Sequence, residues 1–409
     1  MQRIAITGMG VICPLGLNVP EYWENLAAGK LGISEITCFD TTKYAVKVAG
    51  EIKGFDPTNH MDSKVVQRNP RAVHMAVPAV NEALAQSGLD MSQEKSERVG
   101  VVGASMLEYH YVGEDWVRLQ NHGPRRVNPL LFTQAGPSTV SLQIGMMVGG
   151  RGPNITINSL CASGTEIIST AINHICMGHA DVMVAVAADA SLSALGIAAT
   201  SILGALTKEP DPTRASCPFD LNRSGFVYSE GCGAVILESL EHAQARGATV
   251  LAEVAGAWSS FDAYDSTAPN PEAEAIAMRC ALDMSGHKPE DLDYINAHGT
   301  STRLNDVSET KALKMALGED VVRKIPISSF KSMFGHMVTA AGIVESIGVI
   351  KAMENSLIPP TINYRTPDPE CDLDYVPNQA RTKELNLCLK DSFGLGGQNC
   401  CLVLSKYKG

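Results

Sequence analysis

The chain has 409 residues, 45% of them hydrophobic and 19% charged, enough for a sizeable core in two or three domains or one large duplicated one. A formal charge of -11 excludes nucleic acid as a general partner, while leaving room for a local basic patch that meets one acidic protein. Eleven scattered cysteines without a Cys-x-x-Cys pair exclude a zinc ribbon or a redox dithiol and fit reduced thiols in a cytoplasm.

The opening "RIAITGMG", residues 3–10, reads as a strand ending at glycine, with none of the charged, apolar and small-residue regions of a secretory leader before it. "RVGVVGAS" at 98–105 is a second strand, and residues 76–87 place apolar side chains three and four apart, as a helix requires. "NITIN" from 154 reads as a buried strand, followed by the helix "GTEIISTAINHICMG" with Ile167, Ile168, Ala171, Ile172 and Ile175 turned inward, then the strand "ADVMVAVAAD". The long apolar tract 180–207 contains Asp181 and Asp189, so it is expected as core rather than as a membrane span. The same style then recurs: strands "LAEVAGAW" at 251–258 and "DLDYINAHGT" at 291–300, a helix over 273–285, and a small-residue helical tract from 338 to 353. Such alternation implies α/β layers. A division near residue 250 gives an N-terminal half, 1–250, and a C-terminal half, 251–409, packed together with a site between them.

Cys161 in "NSLCASGTE" falls at a strand-to-helix turn. The unpaired amides of a helix start favour a thiolate over a thiol of reference pKa ~8.5, and the small neighbours Ala162, Ser163 and Gly164 leave room for a substrate. A structural core cysteine explains the residue equally well until partners are found. Two histidines supply them, each after an expected strand: His298 in "YINAHGTSTRLND" and His336 in "ISSFKSMFGHMVTAAG", the latter beside Lys331.

"SLCASG", "NAHGTST", "KSMFGH" and "SFGLGGQN" stand in an order and spacing that resembles the β-ketoacyl-acyl-carrier-protein synthases, the type II elongating enzymes most of all. The resemblance runs from "ITGMGVICPLG" through "CPFDLNRSGFVYSEGCGAVILE" to the last strand, and implies a thiolase-like duplicated five-layer αβαβα fold. By this likeness Cys161 takes an acyl chain as a thioester. His298 and His336 stabilise the enolate that forms as malonyl-carrier protein loses carbon dioxide, and the amides of Cys161 and Leu395 hold the tetrahedral oxyanion. Lys331 would pair with Glu309 or Glu345 and keep the histidines neutral, with Phe393 in support. Thr300 and Thr302 would bond the pantetheine arm, and Ser163, Met106 and Phe334 would line the substrate path. No metal or organic cofactor is implied, since phosphopantetheine arrives on the acyl carrier protein.

This chain departs from the resembling family in places. Leu395 stands where the elongating enzymes carry a gating aromatic, Phe334 where a threonine often precedes the "GH", and Arg303 where proline is usual. The stretch "HGTSTRLNDVSET" with Arg303, and "TPDPECDLDYVP", lean toward the ketosynthase α-subunit of type II polyketide synthases, paired with a chain-length factor, while Thr300 and "GGQN" look like the fatty-acid branch; the alternative is a fatty-acid synthase II homodimer. A non-catalytic chain-length factor is disfavoured by Cys161, and a thiolase by the absence of its second cysteine motif. Lys64, Arg68, Arg71, Arg125 and Arg126 are the candidate cations for docking an acidic carrier protein.

Overall fold

The computed structural model describes residues 2–409. Ten strands form one mixed sheet: β1 Ile4–Ile12, β2 Val99–Ser105, β3 Asn154–Thr156, β4 Val182–Asp189, β5 Gly231–Ser239, β6 Ala252–Phe261, β7 Tyr294–Asn296, β8 Ile327–Ser328, β9 Leu387–Phe393 and β10 Gln398–Ser405. Their order is β8-β7-β9-β10-β6-β1-β5-β4-β2-β3. Read outward from the central β6–β1 pair, the two halves repeat: β1-β5-β4-β2-β3 is matched by β6-β10-β9-β7-β8. The pairing directions repeat as well. β2 runs parallel to β3 and β4 while β4–β5 and β5–β1 are antiparallel, and β7 runs parallel to β8 and β9 while β9–β10 and β10–β6 are antiparallel. The halves join through antiparallel pairing of Ile4, Ala5 and Ile6 with Val254, Glu253 and Ala252.

Continuous apolar runs become strands here because helices cover both faces, so alternation is not needed. "VMVAVAAD" of β4 is buried at every position. The Arg71–Ser87 helix packs on β1, β5 and β4, and the Pro271–Ser285 helix packs on β6, β10 and the Arg303–Leu317 helix. Between these outer layers lie the Ser163–Cys176 and Ala341–Asn355 helices, which touch each other and strands of both halves. Outer helices, the β1 half of the sheet, inner helices, the β6 half of the sheet and outer helices make the five layers of a thiolase-like fold. The inner layer is the largest core: Ile167, Ile168, Ala171, Ile172 and Ile175 meet Ile343, Val344 and Ile347 there, all buried. Full burial of each such isoleucine or valine side chain contributes about 1.5–3 kcal/mol.

Two expectations change. "NITIN" is not a buried strand: only Asn154–Thr156 is extended, it is the outermost strand on its side, and its residues are exposed or half-buried. The tract 180–207 is core through β4 and again at Leu192, Ile197 and Leu206, but its helix, Ala194–Ile202, leaves Leu195 and Ile202 exposed, the latter by 87%. Among the described residues no helix is long and apolar enough to cross a membrane.

Candidate active site

The two inner helices start side by side. A Cβ on Gly164 would lie 2.7 Å from the Ile343 amide nitrogen, and one on Gly342 would lie 2.6 Å from that of Thr165. Only glycine allows this approach, and it brings together the turns that precede each helix. One turn is the 3₁₀ segment Leu160–Ala162, which carries Cys161 and is entered through Leu160 at φ 51°. The other is the 3₁₀ segment Val338–Ala340, entered through Val338 at φ 42°, with His336 just before it. Left-handed backbone at two bulky residues is strain that a tightly packed surround must hold, and it gathers at functional turns.

His298 arrives from the end of β7. Its amide donates to Glu309 Oε1 at 2.7 Å and to Asp391 Oδ1 at 2.6 Å, while the Gly299 amide donates to Glu309 Oε2 at 2.8 Å. His336 is fixed by its backbone, its amide donating to the Val227 carbonyl at 2.7 Å and its carbonyl accepting from Ser229 at 3.0 Å. The Cys161 sulfur and a ring nitrogen from each histidine lie within 4.8 Å of one another. The rings meet edge to face, centroids 5.3 Å apart at 83°. Phe226 lies edge-on to His336 at 5.2 Å, and Phe393 edge-on to His298 at 5.7 Å.

These buried surroundings hold both imidazoles neutral. Burial pushes His298 and His336 well below the ordinary histidine pKa, and the Lys331 ammonium pushes in the same direction. The Lys331 Nζ donates to the His298 carbonyl at 2.7 Å, sits 3.4 Å from His298 Nδ1, and pairs with Glu345. Of the two carboxylates considered, Glu345 is the partner; Glu309 is occupied by the amides of residues 298 and 299 and faces Asp391. Neither ring nitrogen of His336 has a hydrogen-bond partner among the described residues. The arrangement offers N–H donors to an oxygen that becomes negative, without a proton to give away.

For the thiol the outcome differs from the expectation of a resting thiolate. Burial pushes Cys161 up to about 11, against the pull of the Leu395 amide, Lys331 and its own amide. The helix start is real, but Cys161 packs among Leu192, Ile197, Leu206, Tyr228 and Val338, and loss of water outweighs the amides. Met106 lies in the same apolar cluster, and the Leu395 amide reaches the Cys161 thiol while the leucine side chain is 41% exposed.

Several other expected residues land elsewhere. Ser163 does not face the substrate space: its hydroxyl donates to the Leu160 carbonyl at 2.7 Å and accepts from the Ser159 amide at 2.9 Å, tying the nucleophile turn. Phe334 is fully buried in the main core with its ring against Tyr22, because the short Lys331–Phe334 helix turns it away from His336. Thr300 and Thr302 bond each other at 2.9 Å, and Thr302 caps the Arg303–Leu317 helix. Arg71 is not a free cation, since its guanidinium grips Glu230 at 2.6 and 2.7 Å. Lys64 and Arg68 stay exposed on the Ser63–Arg68 helix, and Arg125 and Arg126 on the turn Pro124–Arg126. Sequence reasoning missed Phe226, Lys390 and Asp391; the signal for the last two is a charged pair, "KD", inside the strand "LCLKDSF".

The chain is similar to several known proteins over its whole length. The family model "Beta-ketoacyl synthase, N-terminal domain" matches residues 1–243 and "Beta-ketoacyl synthase, C-terminal domain" matches residues 251–365. A 3-oxoacyl-[acyl-carrier-protein] synthase 2 of Staphylococcus aureus strain COL is 39% identical over 410 aligned residues, covering 100% of this chain and 99% of the relative. Among solved structures, a type II PKS acyl-carrier protein in complex with its ketosynthase bound to the hexaketide superimposes with TM-score 0.91 at 33% identity, covering 100% of both chains. The ishigamide ketosynthase/chain length factor matches at TM-score 0.91 and 34% identity over 99% of each chain.

Proposed function

The chain belongs to the beta-ketoacyl synthase family and is a ketosynthase, and from that premise we propose that Cys161, His298, His336 and Lys331 carry out its decarboxylative condensation. The supporting observation is the approach of the Cys161 sulfur and the two imidazoles to within 4.8 Å, with both rings driven neutral.

Cys161 attacks the thioester carbonyl of an acyl chain on its carrier protein, and the carrier's pantetheine thiol leaves. With Cys161 pushed up to about 11, its proton departs as the carbon–sulfur bond forms and ends on the leaving thiol. The neutral imidazoles are the acceptors within reach to pass it on. Malonyl-carrier protein then places its thioester oxygen between the two ring N–H donors. The carboxylate carbon–carbon bond breaks, carbon dioxide leaves, and its electron pair becomes the enolate that those donors hold. The enolate carbon attacks the Cys161 thioester, the amides of Cys161 and Leu395 hold the tetrahedral oxygen, and collapse returns the thiolate to take up a proton. Phosphopantetheine is the carrier's own group, and no free cofactor is used.

We place the division between halves at residue 250, between β5 and β6. The reaction is that of a polyketide ketosynthase working with a second subunit of the same fold, a reading favoured by the type II PKS ketosynthase and the ketosynthase/chain length factor among its structural neighbours. The outermost strand β3 and the exposed Trp116, Phe132, Met146 and Ile202 give an apolar face for that subunit. A homodimer acting on saturated fatty chains fits the 39% identical synthase equally. Eleven free cysteines suit a reducing cytoplasm. In the test, Cys161→Ala abolishes the acyl-enzyme seen by intact-mass spectrometry yet leaves malonyl-carrier decarboxylation, while His336→Ala abolishes decarboxylation. Retained condensation in either variant overturns the assignment.

A further inference from the structure

Strand β9 carries two ionisable side chains in the middle of an apolar run, and both Lys390 and Asp391 are 0% exposed. Lys390 Nζ lies 2.9 Å from Glu345 Oε2 and 2.9 Å from the Ser392 hydroxyl, and also donates to the Asp391 carbonyl. Glu345 Oε1 is already paired with Lys331. One carboxylate therefore sits between two ammoniums, and Lys331 alone would have neutralised it. Lys390 makes the group Lys331–Glu345–Lys390 net positive, buried, and beside the two imidazoles. Such a charge is costly to bury and needs an answer nearby.

That answer lies on the side away from the rings. Asp391 accepts the His298 amide at 2.6 Å, and Glu309, across from it, is held well above the usual carboxylate range by burial and by Asp391. Burial raises Asp391 as well, but Lys390, Glu309 and the His298 amide pull it back down, so of the two carboxyls Asp391 is the one placed to carry the charge that answers the surplus cation. The elements packed on β9 bring the other groups that face it: Glu345 from Ala341–Asn355, Lys331 from the short helix Lys331–Phe334, Glu309 from Arg303–Leu317, Glu274 from Pro271–Ser285, Glu166 and the Thr165 hydroxyl from Ser163–Cys176, the Cys400 thiol from β10, and the two histidines. Beside the rings themselves the cations dominate, and Lys331 and Lys390 both act to keep His336 unprotonated.

We propose that Lys390 is a positioning residue of the condensation, the second ammonium that turns the neutral Lys331–Glu345 pair into a net positive field facing His298 and His336, with Asp391 as its buried counter-charge. Without it Glu345 cancels Lys331. A field of this sign disfavours a proton on either ring and favours negative charge on the oxygen they hold. The inference rests on the catalytic roles proposed above for the two histidines.

The test is a comparison of the wild type, Lys390→Met, Lys390→Arg and the charge-balanced double variant Glu345→Gln/Lys390→Met, each checked for folding by thermal melting. Imidazole titration is read by ¹⁵N NMR of histidine-labelled protein, with His298→Asn and His336→Asn spectra assigning the signals. In Lys390→Met the two rings take up a proton at a pH higher by about one unit, the effect of removing one weakly screened charge, and the acid limb of malonyl-carrier decarboxylation moves up with them. Lys390→Arg and the double variant, which leaves Lys331 uncancelled, return both readings toward the wild type. Unchanged ring titration in a folded Lys390→Met overturns the inference, as does a double variant that stays where Lys390→Met lies. Should Lys390→Met not fold, the double variant and Lys390→Arg still decide, because failure of both to hold the rings at their wild-type titration overturns it too. The NMR reading needs no turnover, so a protein with shifted rings but no decarboxylation would refute the proposed reaction and not this inference.

Discussion

β4 and β9 occupy equivalent places in the two halves, each between a parallel and an antiparallel neighbour, yet they were given opposite chemistry. β4, "VMVAVAAD", is apolar until Asp189 at its end, where the carboxylate receives the Ser191 amide at 2.9 Å. β9, "LCLKDSF", buries Lys390 and Asp391. The strand ends repeat the contrast. After β2 comes Met106, packed in the apolar cluster with Cys161; after β7 comes His298, tied to Glu309 and Lys331. The matched helix-start turns complete it, one carrying the thiol and the other following His336. Two copies of one backbone device thus carry an apolar surround for the thiol in the first half and a charged surround for the imidazoles in the second, which the proposed reaction uses for the acyl chain and the malonyl group respectively.

The largest break in this comparison is Lys331→Met. It removes the cation nearest His298 and leaves a buried Glu345 with Lys390 alone. Truncating one member of a buried ion network costs roughly 3–5 kcal/mol of stability, lowering the urea midpoint, and loss of the field at the imidazoles lowers decarboxylation by about a hundredfold. Acylation of Cys161, whose seat belongs to the other half, falls far less. Equal losses in both half-reactions would mean that the halves do not divide the work.

A smaller effect sharpens the first half. With Cys161 pushed up to about 11 by burial, its alkylation by iodoacetamide rises with pH, about tenfold per unit, through pH 7 to 10. The thiol is neutral below its pKa, so the rate follows the thiolate fraction upward. A rate already level at pH 8 would show that the helix-start amides outweigh burial after all.

Much of this was legible in the sequence, and the illegible part has a common cause. The Ser163–Cys176 helix and its inward isoleucines follow from spacing alone, since a 3.6-residue period states which face is buried. Cys161, His298, His336 and Lys331 stand in motifs that also fix their neighbours. Spacing says nothing about which of two carboxylates a lysine meets: Glu309 and Glu345 are equally plausible until the topology sets Ala341–Asn355 against β9. Phe334 was misplaced for a similar reason, as a four-residue helix after Phe330 turns it into the core. The resting charge of Cys161 depends on how much water its cluster excludes, a property of the assembled halves and not of the turn.

The smallest effect concerns the surface, where one basic segment carries both an anchored and an exposed cation. "DSKVVQRNPR" offers three cations, but Arg71 begins the helix that packs on β1, and its guanidinium is committed to Glu230, whose side chain is 4% exposed. Lys64 and Arg68 remain on an exposed helix face. An exposed rim charge acts mainly on the encounter with an acidic carrier, through attraction that salt screens over about 10 Å at 0.1 M. Arg68→Glu therefore weakens acyl carrier protein binding several-fold at low salt, in line with a contribution of about 1 kcal/mol, and the difference fades by 0.5 M salt in surface plasmon resonance. Arg71→Ala leaves Glu230 unpaired beside the core and lowers thermal stability, while its carrier affinity and salt dependence stay at the wild-type values. An Arg71→Ala protein that folds normally but loses carrier binding would place the docking charge on the interior side of this segment, and the division between an anchoring and a greeting arginine would be wrong.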